Sequence, residues 1–137
     1  MKDILKMIEE VSPNDTTKLG EIDAKVWEYV TGRKSTLRHK GSVSSPDGYW
    51  HSDDGATIDC LPPQYTRSRD TLKDIRPHGW VTMLVEFDNG GGFILGWNCC
   101  LKNIQDKLVT SRPGTLPTEE LAELHAIIQA IEYERSK

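Results

Sequence analysis

Two β-rich runs facing each other across a turn most constrain what this chain can fold into. Trp80-Val81-Thr82-Met83-Leu84-Val85-Glu86-Phe87 and Phe93-Ile94-Leu95-Gly96-Trp97 flank Asp88-Asn89-Gly90-Gly91-Gly92. Asx residues and glycine tolerate the positive φ of a tight reversal, so residues 80–97 are predicted to form a hairpin. Glycines cradle phosphate where a strand leads into a helix, and these join two strands, so they read as turn residues.

Amphipathic segments lie on both sides of the hairpin. Residues 3–11 place Ile4, Ile8 and Val11 on one side of a short helix, which Ser12-Pro13-Asn14-Asp15 breaks. Residues 17–31 place Ile22, Val26 and Val30 at i, i+4, i+8, and Gly32 supplies the stop. Residues 33–48 show no periodicity and are predicted to be a loop carrying Arg33, Lys34, Arg38, His39 and Lys40. Gly48-Tyr49-Trp50-His51 opens an aromatic segment, which a turn at Ser52–Gly55 would join to the alternating run Ala56–Cys60 in a second hairpin.

After Trp97 the pattern has two readings. Leu101, Ile104 and Leu108 suit a helical turn, whereas Lys107-Leu108-Val109-Thr110 suits a strand. From Pro117 to Arg135, Leu121, Leu124, Ile128 and Ile131 form a helical stripe flanked by Ile127, with Glu119, Glu120, Glu123, Glu132 and Glu134 on the remaining face. The fold class expected is α+β: an antiparallel sheet with a central 80–97 hairpin, covered by N-terminal, short central and C-terminal helices in a layered sandwich. Trp27, Trp50, Trp80 and Trp97 are expected to fill much of the core, because aromatic side chains bury the most area.

The 137 residues suit one domain, 1–137, and the 36% apolar and 28% charged fractions are those of a globular protein in water. No apolar run approaches the roughly 20 residues that span a bilayer, and no secretory signal opens the chain. Three cysteines, two of them adjacent, do not make a disulfide framework, so a reducing cytoplasm is expected. A net charge of −4 disfavours nucleic acid as a non-specific partner.

The most site-like stretch is Leu61-Pro62-Pro63-Gln64-Tyr65-Thr66-Arg67-Ser68-Arg69-Asp70, leading through Leu72 and Ile75 to Pro77-His78-Gly79-Trp80. The prolines make the backbone arrive extended and rigid. Thr66 or Ser68 then caps a short helix whose buried stripe is Leu72 and Ile75. Tyr65, Arg67 and Arg69 are left at its corner. Arginine forks beside helix-start amides suit a phosphate or carboxylate, and a tyrosine ring can stack on a base.

Taken together, Ile4–Val11 with Leu19-Gly20-Glu21-Ile22-Asp23-Ala24, the stretch Tyr65-Thr66-Arg67-Ser68-Arg69-Asp70, and Pro117-Thr118-Glu119-Glu120-Leu121-Ala122 resemble small phage and prophage proteins of the phage ABA (αβα) sandwich domain type. Gln64 is an addition to that pattern, the C-terminal helix has fewer alanines, and the 33–48 loop has no counterpart. The resemblance implies a phage or prophage origin and expression in a bacterial cytoplasm. It brings no catalytic residues with it.

Other chemistry is thinly marked. His39, His51, His78, His125 and the cysteines form no Cys-x-x-Cys and no helical His pair, so neither a metal nor another cofactor is expected. No Gly-x-Ser-x-Gly or Ser-x-x-Lys frames a nucleophile, so a non-catalytic protein is expected. Asp53 and Asp54 are explained by their turn. The functional expectation is a homo-oligomer, at least a dimer, that captures a small anionic, nucleotide-like ligand in a counter-defence role. Its candidate residues are Tyr65, Thr66, Arg67, Ser68 and Arg69, with Trp50, His51, Arg38 and Lys40. The alternatives are an inhibitor that binds a host protein through the acidic C-terminal helix, and a structural or accessory phage protein.

Overall fold

The computed structural model describes residues 1–32, 35–39, 49–52, 63–88, 94–105, 107–111 and 115–137. The chain divides into two compact units, Lys2–Arg67 and Ser68–Lys137 with Met1. Helices and antiparallel strands are both present, and the class is α+β. Among the described residues no helix is long and apolar enough to cross a membrane.

The first unit opens with α1 (Lys2–Glu10) and α2 (Thr16–Thr31). Asp15 caps α2 by accepting the Lys18 N–H at 3.1 Å, which satisfies one of the orphan donors at the helix start. Gly32 ends it with φ +74°, its N–H donating to the Glu28 carbonyl. The helices bury Ile4 and Ile8, and Ile22 and Val26, from the stripes the periodicity marked, and Leu19 besides; Val11 and Val30 are half-exposed.

Strands β1 (Ser35–His39) and β2 (Tyr49–Ser52) pair antiparallel, with Leu37 opposite Trp50 and Thr36 opposite His51. This corrects the expected 33–48 loop. A five-residue strand with Leu37 as its sole aliphatic residue carries no periodicity, and its pairing partner defines it. The turn at 53–55, the Ala56–Cys60 run and Lys40 lie outside the described residues.

In the second unit, α3 (Arg69–Lys73) follows its N-cap Ser68, whose Oγ accepts the Thr71 N–H at 3.3 Å. Strands β3 (Val81–Asp88), β4 (Ile94–Lys102) and β5 (Leu108–Thr110) form one antiparallel sheet in the order β3-β4-β5. The 80–97 hairpin is present as the β3–β4 pair, with Val81 opposite Lys102 and Phe87 opposite Gly96; residues 89–93 of its turn lie outside the described residues. Of the two readings after Trp97, the strand reading holds. β4 continues to Lys102, and β5 returns along it with Val109 opposite Leu101.

A bulge near the β4 start shapes the sheet end. Phe87 pairs with Gly96 and Asp88 with Ile94, which leaves Leu95 as the extra residue. Gly96 holds φ +149°, and a Cβ there would lie 2.7 Å from the Thr115 Cβ and 2.9 Å from the Leu116 carbonyl. That close approach lets Trp97 and Leu116 exchange backbone hydrogen bonds of 2.7 and 2.8 Å.

Helix α4 (Glu119–Arg135), capped by the Thr118 hydroxyl, lies on one face of this sheet. Leu121, Leu124, Ile127, Ile128 and Ile131 are buried, as the stripe predicts. A second stripe is buried too, Ala122, Ala126 and Ala130, so the helix is enclosed nearly all round between 121 and 131. The expected acidic outer face is therefore not an open one: Glu123 is buried, and Glu119, Glu120, Glu132 and Glu134 are half-buried. The core is correspondingly more aliphatic than the tryptophan count implied. Trp80 is buried, but Trp27 and Trp97 keep partial exposure, and the Trp50 side chain lies outside the description.

Candidate functional site

The proline-led corner folds into a tight turn. Tyr65 donates its N–H to the Pro63 carbonyl at 2.9 Å, and Arg67 donates to Gln64 at 3.1 Å. The turn is fastened to α2 by Asp23, whose Oδ1 accepts the Thr66 N–H at 2.8 Å and whose Oδ2 accepts from Arg67 Nη2 at 3.3 Å. Asp23 is 1% exposed. Burial pushes its carboxyl up to about 6, against the opposing pull of the Thr66 N–H and the Arg67 charge.

These contacts decide what the corner offers a ligand. Tyr65 is 5% exposed, which leaves almost no ring face for a base to stack on. Thr66 is buried. Arg67 sits in the unit that supplies Asp23 and is ion-paired to it.

Arg69, in the other unit, donates from Nε to Glu123 at 2.6 Å and lies 3.5 Å from Glu119. Glu123 is the stronger partner and tightens the guanidinium's hold on its proton. Ser68 spends its oxygen on the α3 cap. Each arginine of the expected anion pocket thus has an internal carboxylate. Trp50 and His51 stand on β2, and Arg38 stands on β1.

Asp23, Glu119 and Glu123 are the residues that sequence reasoning left out of this corner. Asp23 had a visible signal, since it lies one helical turn after Leu19 and one before Trp27, beside the Ile22–Val26 stripe. An acid on the buried side of a helix needs a partner. Glu123 sits among Leu121, Ala122 and Leu124.

Several buried polar groups elsewhere in the second unit are engaged as well, although the Asn103 Nδ2 amide has no hydrogen-bond partner among the described residues. Ser111 Oγ accepts the Cys99 N–H at 2.8 Å and donates to Asn98 Oδ1 at 2.6 Å. His125 Nδ1 lies 3.0 Å from Gln129 Nε2, which also donates to the Thr110 carbonyl. Trp80 Nε1 donates to Glu134 at 2.9 Å and meets the Tyr133 ring edge-on at 5.8 Å. Cys99 is buried, and desolvation pushes its thiol up to about 12. Among the described residues no three His, Cys, Asp or Glu side chains stand together as a metal site.

Two of the surface clefts are lined wholly by described residues. One, about 330 Å³, lies between α1 and α2 and is lined by Glu10, Asp15 and Lys18 with Met7, Val11 and Ile22. Two acids against one lysine do not suit an anion. The other, about 270 Å³, lies at the sheet end between Gly79, Val81, Met83, Lys102, Asn103 and Ile104.

This second cleft belongs to a larger feature. Residues opposite one another in an antiparallel sheet share a face, so the register puts Val81, Met83 and Val85 with Lys102, Cys100 and Asn98, and then with Leu108 and Thr110. The opposite face carries the buried Cys99, Leu101 and Val109. On the open face Val81 is 65% exposed, Met83 54%, Val85 45% and Leu108 51%, and Ile104 in the following turn is 86% exposed. Asn103 fixes that turn by accepting the N–H groups of Gln105 and Lys107 at 3.0 and 2.8 Å. The outer edge of β3 pairs with no described residue. Sequence reasoning missed this surface because alternation along β3 gathers Val81, Met83 and Val85 on one side and Thr82, Leu84 and Glu86 on the other, and the more apolar side of a strand is ordinarily the covered one.

No family model matches this chain, and no curated protein or solved structure does either.

Proposed function

We propose that this chain is a non-catalytic binding protein that works by protein–protein contact through the open face of the β3–β4–β5 sheet. The row Val81, Met83 and Val85, more than two-fifths exposed at every position and extended by Leu108 and Ile104, carries this reading. Apolar area in water costs roughly 25 cal/mol per Å². Contiguous exposed patches of this kind mark surfaces that a partner covers.

Capture of a nucleotide-like anion at the 65–69 corner is the competing reading. It requires the ligand to displace Asp23 from Arg67 or Glu123 from Arg69, and so to leave a buried carboxylate uncompensated. Inhibition through an acidic helix meets the same difficulty, since Glu123 is buried against Arg69. Contact through the sheet face needs no internal pair to break. An accessory protein of phage or prophage type, acting in a bacterial cytoplasm, is consistent with such a role.

A photo-crosslinking amino acid placed at Val85, with one at the exposed Lys6 as control, tests the reading in bacterial cells. A discrete protein adduct from position 85 and none from position 6 is the expected result. A rise in melting temperature with cyclic or ADP-ribose-like nucleotides, lost in Arg67→Ala and with no adduct from position 81 or 85, would replace it with ligand capture.

A further inference from the structure

We infer that the protein seated on the open sheet face is a second copy of this chain, stacked face to face about a two-fold axis. The inference rests on the proposed protein-contact function and names its partner. Three observations carry it.

The first is area. Val81, Met83, Val85, Leu108 and Ile104 together expose on the order of 500 Å², so two copies would bury roughly 1,000 Å², about where specific interfaces begin.

The second is charge. In a two-fold interface the same patch meets itself, so a charged patch repels its own copy. Between the apolar residues this face carries Asn98, Cys100 and Thr110, with Lys102 as the single charge in the paired register, at one end. The chain as a whole carries a net charge of −4, so the acidic excess lies elsewhere.

The third is shape. Alternating side chains on a three-stranded sheet interdigitate with a second sheet about 10 Å away, and Met83 at the centre of its row can fill irregular gaps. Pairing through the outer edge of β3 would leave the Val81–Val85 row in water, whereas face-to-face stacking covers it.

Sedimentation and light scattering over a dilution series provide the test. The expected species at micromolar concentration has twice the 15.5 kDa chain mass and dissociates on dilution. Met83→Asp places a carboxylate in the contact and should weaken association at least about tenfold, with an unchanged circular dichroism spectrum. Lys6→Gln shifts the net charge equally but leaves the face intact, and should not weaken it.

Cys100, opposite Met83 in the register, should be alkylated more slowly in the concentrated wild type than in Met83→Asp, as read by peptide mass spectrometry. A 15.5 kDa species at all concentrations overturns the inference, as does a dimer that Met83→Asp leaves intact. In the monomer case, a crosslink from Val85 to a different protein would still leave the protein-contact function standing.

Discussion

Asp23 and Thr66, separated by 43 residues in sequence, are joined by a 2.8 Å hydrogen bond from the Thr66 backbone N–H to the Asp23 carboxylate. The same carboxylate holds Arg67, so one buried acid on α2 fixes the whole turn from Tyr65 to Arg67. Its carboxyl is raised from 3.8 to about 6, chiefly by burial. The folded chain therefore binds a proton more readily at this site than the unfolded chain does.

Stability from Asp23 is fully present below about pH 4, where both states are protonated, and is lost as pH rises through about 6. Asp23→Asn keeps a polar group for the Thr66 N–H and cannot titrate. The stability difference between wild type and Asp23→Asn, from urea midpoints, should move against wild type between pH 4 and 7. A difference that stays flat across that window would show that burial does not raise this carboxyl.

Arg69→Ala strands Glu123, whose side chain is 3% exposed, without its 2.6 Å partner. Because the arginine itself is 43% exposed, the expected cost is discounted to about 1–3 kcal/mol in chemical denaturation. Adding Glu123→Gln should recover part of the loss by removing the stranded charge. Glu119→Ala, at the looser 3.5 Å end of the pair, should change stability by no more than about 0.5 kcal/mol.

Gly96→Ala meets both a positive φ and a backbone oxygen at 2.9 Å, so it should cost about 2–3 kcal/mol and lower the melting temperature by several degrees. Gly32→Ala has the strained φ of +74° but nothing within 4 Å, and should cost only about 1 kcal/mol. Equal costs at the two sites would contradict the tight Thr115–Leu116 approach.

The adjacent cysteines should differ in reactivity. With its thiol near 12 and no exposed surface, Cys99 stays protonated and shielded at pH 8, whereas Cys100 is half-exposed. Brief alkylation of the dilute folded protein should add one label to the peptide holding both residues. Two labels would mean that β4 opens readily at this point.

Much of the local structure was legible from residue order. The helix stripes at Ile4/Ile8 and Ile22/Val26, a cap at Thr66 or Ser68 and the β3–β4 hairpin all follow from interactions spanning a few residues or from a periodicity repeated along one element. Strand β1 was missed because one leucine among polar residues has no period to read. The enclosed character of α4 was missed because alanines at 122, 126 and 130 are neutral in a hydrophobic pattern until a neighbour approaches them.

The candidate site divides in the same way. Sequence alone determined that residues 63–69 form a proline-led corner ending in a short helix capped by Thr66 or Ser68, because backbone restriction and capping act within a single turn of chain; the structure gives the cap to Ser68. It also determined that β3 would be apolar. Only the tertiary structure decided that Arg67 belongs to Asp23 and Arg69 to Glu123, across 44 and 54 residues, and that Val81, Met83 and Val85 face outward. Charge pairing and face selection are set by which elements meet in space, and a side chain's neighbours along the chain do not contain that information.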